Sequence, residues 1–233
     1  MQAFVARQPI FDTQLAVHAY ELLFRSGAEN FFFHADGNQA TGSVISDSLM
    51  TIGIAAMTDG RPAFINVTRD VLLKEYVTLL PKDLSVLEIL EDTPPEPAVL
   101  EALRHLKAAG YRIALDDFQA MPNPDPFIEF ADVIKVDFLA ADAKKRAAIA
   151  RLFRPLGIQL LAEKVETHED VAQGKDLGYT LFQGYFFSKP VIMTRRRIPE
   201  SKIGALRLLQ TVNTPPIDFD RAEETIKRDM SLS

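Results

Sequence analysis

Short apolar runs recur along this chain, and each closes on a polar residue. They are Ala19-Tyr20-Glu21, Ala63-Phe64-Ile65-Asn66, Ser85-Val86-Leu87-Glu88, Arg112-Ile113-Ala114-Leu115-Asp116-Asp117, Asp132-Val133-Ile134-Lys135, Leu160-Leu161-Ala162-Glu163 and Thr180-Leu181-Phe182-Gln183. Runs of this length bounded by turn residues predict buried strands, here over 84–90, 111–116, 133–136, 157–162 and 179–182, with another running into Asn66. The intervening stretches carry helical spacing: 71–80, 97–109 closed by Gly110, 141–153 and 168–177, with a short helix at 128–131. Strand and helix therefore alternate through the middle of the chain.

The beginning departs from that alternation. Residues 4–10 and 17–24 are apolar runs joined by Asp12-Thr13-Gln14, too short a link for a crossover helix, so they pair as an antiparallel hairpin. Mixed helical spacing follows over 38–57 and ends at Asp59-Gly60. Counting the hairpin gives about eight strands, the pattern of a closed TIM-like (β/α)8 barrel. A doubly wound open sheet is the second architecture, but no Gly-rich fingerprint follows the first strand. The character changes at Arg195-Arg196-Arg197-Ile198-Pro199, after which Ser201 caps an amphipathic helix through Ile203, Leu206, Leu208 and Leu209. The expected division is a barrel over 1–197 and, over 198–233, a linker and the start of a second helical domain that is cut short.

Composition narrows the chemistry. With 233 residues, 47% hydrophobic and 25% charged, the chain can bury a large core. It has no Cys and only four His, which removes thiolate chemistry and disulfides and argues against a histidine metal cage. No apolar run reaches the roughly 20 residues of a membrane helix and the first residues lack a signal-peptide layout, so the expected setting is the cytoplasm, with no membrane. A net charge of −6 argues against a DNA partner held through phosphates, though it permits a phosphate ligand held through metal ions.

In a barrel the carboxyl ends of the strands share one face, so Glu21, Asn66, Glu88, Asp116, Asp117, Lys135, Glu163 and Gln183 converge. Singly, a strand-end Asp or Asn is commonly a helix cap and a strand-end Lys commonly neutralises an acid. Together they form a hard oxygen-donor set without imidazole or thiolate, suited to Mg2+ or Mn2+. Adjacent Asp116 and Asp117 can each reach a different ion, as in a two-metal site for phosphodiester hydrolysis.

The ordered signatures Gln8-Pro9-Ile10, Tyr20-Glu21-Leu22-Leu23-Phe24-Arg25, Ile65-Asn66-Val67, Leu87-Glu88-Ile89-Leu90-Glu91, Leu115-Asp116-Asp117-Phe118, Ile134-Lys135-Val136-Asp137, Ala162-Glu163-Lys164-Val165-Glu166 and Gln183-Gly184-Tyr185 resemble the EAL domain of bacterial cyclic-di-GMP phosphodiesterases over roughly residues 4–190. Their wording is similar to the subgroup in which EAL precedes an HDOD domain, and 201–233 resembles the beginning of that domain. The resemblance implies cleavage of cyclic-di-GMP to linear pGpG, a following HDOD domain in the full-length protein and a homodimer. It implies Glu21, Asn66, Glu88 and Asp116 as ligands of one ion, with Asp116 shared and Asp117 on a second. Lys135 and Glu163 would orient or deprotonate the attacking water, Gln183 would hold the water network, Gln8 and Arg25 would bind substrate, and Glu91 would anchor the loop after Asp117.

Three departures leave the activity open. The loop after Phe118 reads Gln119-Ala120-Met121-Pro122-Asn123-Pro124-Asp125-Pro126, stiffened by three prolines where the family has a Gly- and Ser-rich loop. Lys164 stands where the family usually has Gly. Between Ser26 and Gly60 the family's Pro-rich ligand segment is replaced by a stretch containing Phe31-Phe32-Phe33. The chain is thus either a phosphodiesterase with reduced turnover or an inactive module serving as nucleotide receptor or docking scaffold. A more distant reading is an unrelated Mg2+-dependent barrel enzyme acting on a small carboxylate.

Overall fold

The computed structural model describes residues 2–25, 53–118, 126–187 and 191–196. Strands β1 (Gln2–Asp12) and β2 (Val17–Arg25) form the expected hairpin, with Gln8 opposite Glu21 and Ile10 opposite Ala19. Then β3 (Ala63–Val67), β4 (Ser85–Ile89), β5 (Arg112–Leu115), β6 (Val133–Asp137), β7 (Gln159–Glu163) and β8 (Leu181–Phe182) each pair in parallel with the strand before. The barrel closes where Phe11 and Asp12 of β1 pair antiparallel with Phe182 and Leu181 of β8. One strand of the eight, β1, therefore runs against the other seven.

Strand alternation sorts the side chains into two layers. Pointing inward, Ile10, Ala19, Phe64, Val86, Ala114, Val133, Leu161 and Leu181 form one buried cluster, a single residue from each barrel strand. Outward-pointing neighbours such as Leu22, Ile65, Leu87, Ile113, Ile134 and Phe182 pack instead with Val99, Leu103, Ile149, Phe153 and Val171 of the surrounding helices. The inner cluster plugs the barrel. Whatever lies two residues further along each parallel strand must sit directly above that plug.

Helix ends follow local chemistry. Helix His168–Leu177 matches the predicted span: Thr167 and Asp170 form a reciprocal capping box, and Gly178 stops it in the left-handed region at φ 89°. Helix Pro97–Ala108 opens on a proline, and helix Ala143–Phe153 on Asp142, whose carboxylate accepts from the Lys145 amide at 2.8 Å. The single helix expected over 71–80 is corrected to helix Arg69–Leu73 followed by a 3-10 turn, Tyr76–Leu79. Glu75 between them is left-handed at φ 55°, which resets the phase so that Val77 and Leu79 stay buried.

One expectation of the ends is revised. Strand β9 (Val191–Arg196) pairs antiparallel with the first half of β1, Gln2 opposite Arg196 and Arg7 opposite Val191, so Arg195 and Arg196 belong to the sheet and not to a change of character. Of the helix expected over 38–57, the described part is Ile54–Met57. The Phe31-Phe32-Phe33 stretch, the loop 119–125 and the tail 198–233 lie outside the described residues. Among the described residues no helix is long and apolar enough to cross a membrane.

Candidate active site

The residues two positions beyond the plug are the polar strand ends: Glu21 beyond Ala19, Asn66 beyond Phe64, Glu88 beyond Val86, Asp116 beyond Ala114, Lys135 beyond Val133, Glu163 beyond Leu161 and Gln183 beyond Leu181. Antiparallel β1 reaches the same layer in reverse, placing Gln8 two residues before Ile10 and opposite Glu21. The period of two thus builds one polar ring on an apolar floor.

Lys135 is the hub of that ring. Its side chain is 1% exposed, and Nζ lies 2.7 Å from Glu88 Oε1, 2.8 Å from Asp116 Oδ1, 3.0 Å from Glu163 Oε1 and 3.8 Å from Glu21 Oε1. Glu21 is further held by Gln183, whose Nε2 donates to Oε2 at 2.5 Å, and by Asn66 Nδ2, which donates to Oε1 at 3.4 Å. The backbone sets these positions. The Asp116 amide donates to Ile89 O, the Phe118 amide to Lys135 O, and the Gln183 amide to Ala162 O, so each strand end is tied to its neighbour. A Cβ at Gly184 would come within 2.2 Å of Val165 O, and only glycine lets the segment after Gln183 lie so close to that backbone.

Burial dominates the electrostatics. It raises the Glu88 carboxyl well above the usual range against the pull of Lys135, with Glu21 and Asp116 adding to the rise. Glu163 is pushed up to about 8 by burial, also against Lys135 and with help from Asp116 and Glu21. Burial would lower Lys135, but Glu163, Glu21, Glu88 and Asp116 together hold it well above an ordinary lysine. Ionised together, the four carboxylates would carry more negative charge than one ammonium balances, and the ring responds by holding Glu88 and Glu163 toward their neutral forms.

That imbalance tests the fit to a cation. Asn66 Oδ1, Glu88 Oε2, Asp117 Oδ1 and Gln183 Oε1 are buried and accept no hydrogen bond. All are hard oxygen donors, and their chemistry fits a divalent ion such as Mg2+ or Mn2+. Among the described residues no three His, Asp or Glu side chains stand at ligating spacing as they are. Three of the carboxylates are instead gathered around Nζ.

The remaining candidates are placed less centrally. Asp117, left-handed at φ 40°, turns toward Lys164, whose Nζ is 3.8 Å from its Oδ1. Glu91 is exposed beyond β4, and the loop it was expected to anchor lies outside the described residues, as does the side chain of Arg25. Asp137, the last residue of the Ile134-Lys135-Val136-Asp137 signature, joins them although its place in that motif implies no role. Its Oδ1 accepts from the amides of Leu139 and Ala140, and its Oδ2 is 2.5 Å from Lys164 Nζ. Burial opposes it, but Lys164 and those amides hold the Asp137 carboxyl below the usual range.

A family model described as the EAL domain matches residues 49–190. The chain belongs to the EAL domain family. This EAL chain is 39% identical over 239 residues to the Bacillus subtilis protein YuxH, covering all of this chain and 58% of that protein. It is 34% identical over 233 residues to the Vibrio cholerae cyclic di-GMP phosphodiesterase CdgJ, covering 99% of this chain and 54% of that one. The EAL chain thus spans little more than half the length of these relatives. Among solved structures, Klebsiella pneumoniae BlrP1 in a manganese and cyclic-di-GMP complex shares the fold at a TM-score of 0.63, with 23% identity over 84% of this chain and 58% of that one.

Proposed function

We propose that this EAL domain binds cyclic-di-GMP and hydrolyses it to linear pGpG with Mg2+ or Mn2+. The observation that carries the reading is the single polar layer above the barrel plug, in which four carboxylates, two amides and one lysine face one another. The manganese and cyclic-di-GMP complex of the structural neighbour and the phosphodiesterase CdgJ support the choice of ligand and reaction. Glu21, Asn66, Glu88 and Asp116 would hold one ion, and Asp116 with Asp117 a second. Bound there, such ions would polarise the phosphodiester and acidify the attacking water. The chain's own part is positional: Lys135 orients the water, Glu163 accepts its proton, Gln183 fixes Glu21, and Gln8 and Arg25 meet the ligand. Residues 198–233 are the start of an HDOD-like domain in this proposal, supported by their resemblance to it.

Turnover is expected to be slow, because the proline-rich loop follows one residue beyond Asp117 and Lys164 engages Asp117. That contact also favours the receptor reading, in which the ligand binds and is not cut. Chromatography of cyclic-di-GMP incubated with the purified chain and Mn2+ should show pGpG. Glu163→Gln should lower the rate by roughly 10²- to 10⁴-fold, the range for a general base, while calorimetry shows the ligand still bound. Binding without pGpG from the unaltered chain selects the receptor reading, and no binding at all removes both.

A further inference from the structure

Asp117 and Lys164 are neighbouring non-glycine residues that both adopt left-handed backbone, at φ 40° and 53°. Aspartate tolerates such geometry, but for a lysine it is costly and persists only where the surroundings impose it. At Lys164 it delivers the ammonium to 2.5 Å from Asp137 Oδ2 and 3.8 Å from Asp117 Oδ1. Asp137 is itself fixed by the amides of Leu139 and Ala140. Asp117 Oδ1 is buried and accepts no hydrogen bond, so the nearby ammonium compensates it through charge alone. An ordinary surface ion pair is worth too little to explain a left-handed lysine beside the Glu163 carboxylate.

We infer that Lys164 is an internal cation standing in for the second divalent ion beside Asp117. The inference rests on the two-ion reading above and adds what regulates it. A divalent ion reaching Asp117 meets a positive charge about one ion-pair distance away, and the lysine must leave Asp137 before that ion can settle. The Lys164 side chain is half exposed, so it can swing into water, and occupancy of the second position becomes a competition with the Lys164–Asp137 pair. The residues proposed for the first ion, Glu21, Asn66, Glu88 and Asp116, contact one another, Lys135 and Gln183, whereas the Lys164 ammonium contacts Asp117 and Asp137. Lys164 is in this sense a positioning residue that sets how many ions the site holds.

Calorimetric titration of the whole chain with Mn2+, read beside electron paramagnetic resonance, tests this without any nucleotide. Two ions bridged by one carboxylate, about 3.5 to 4 Å apart, give an exchange-coupled spectrum. The unaltered chain is expected to bind one Mn2+ well, a second weakly, and to show the uncoupled signal. Lys164→Gln and Lys164→Gly should tighten the second site by roughly 5- to 150-fold, the usual span of site–site coupling, and bring up the coupled signal with the first site unchanged. Lys164→Arg should behave as the unaltered chain. If the unaltered chain already holds two ions as tightly as Lys164→Gln, this inference falls while the phosphodiesterase reading stands. A gain confined to Lys164→Gly would assign the effect to backbone strain and also overturn it. Failure of every variant to bind Mn2+ would remove both readings together.

Discussion

Lys135 is buried among carboxylates from β2, β4 and β7 and that of Asp116 just beyond β5, so replacing it with an uncharged side chain leaves several acids without their cation in a largely buried site. Breaking a buried ion pair from one side typically costs about 3–5 kcal/mol. Lys135→Met measured in metal-free buffer should lose that much in urea unfolding, and a loss below about 1 kcal/mol would mean the ring is wetter than its burial indicates. This residue was legible in the sequence because the strand period of two fixes which face Lys135 shares with Val133. The same rule lined up Glu21, Asn66, Glu88, Asp116, Glu163 and Gln183. It could not reveal the meeting of Lys164 with Asp137, because that contact depends on a left-handed turn at Lys164 that has no periodic signature.

At the scale of elements, legibility tracked the strength of the end signals. Helix His168–Leu177 has both a capping box and a glycine stop, and its span was read correctly. The segment after Thr68 has neither, and its apolar residues continue past Glu75 with a phase that only the left-handed turn explains. Strand β9 has no such signal: Arg195 and Arg196 mark a change of character along the sequence, while the partner strand β1 lies nearly the whole barrel away. The capping box supplies a pH test. Burial tends to raise Asp170, but the Thr167 hydroxyl, the amides of Glu166 and Thr167, and Arg146 hold its carboxyl below the ordinary 3.8. A depressed acid stabilises the fold above its unfolded pKa and loses that contribution as pH falls through the folded one. Asp170→Asn should therefore melt below the unaltered chain at pH 7, with the gap closing as pH drops below about 3.8. Thermal scans between pH 7 and 3 check this; a gap that persists unchanged at low pH would show that charge is not what the cap contributes.

For the whole molecule, the antiparallel placement of β1 between β2 and β8 governs the order in which the protein can be assembled. Parallel neighbours such as β6 and β7 pair across a few tens of residues. The last seam joins residues 11 and 12 to 182 and 181, and the Glu21–Gln183 hydrogen bond spans 162 positions. By loop-closure entropy that seam costs about 1.5 kcal/mol more to form than a neighbouring parallel pair, with nothing gained until it is made. Pulse-labelled hydrogen exchange during refolding should find the amides of β4–β5 and β6–β7 protected before those of the Phe11–Phe182 and Asp12–Leu181 pairs; the reverse order would rule out late closure. On a ribosome the consequence is sharper. Glu21 is made 162 positions before Gln183 and waits beside an open sheet edge, so a growing chain carries Glu21, Glu88 and Asp116 of its polar ring before it can be a barrel.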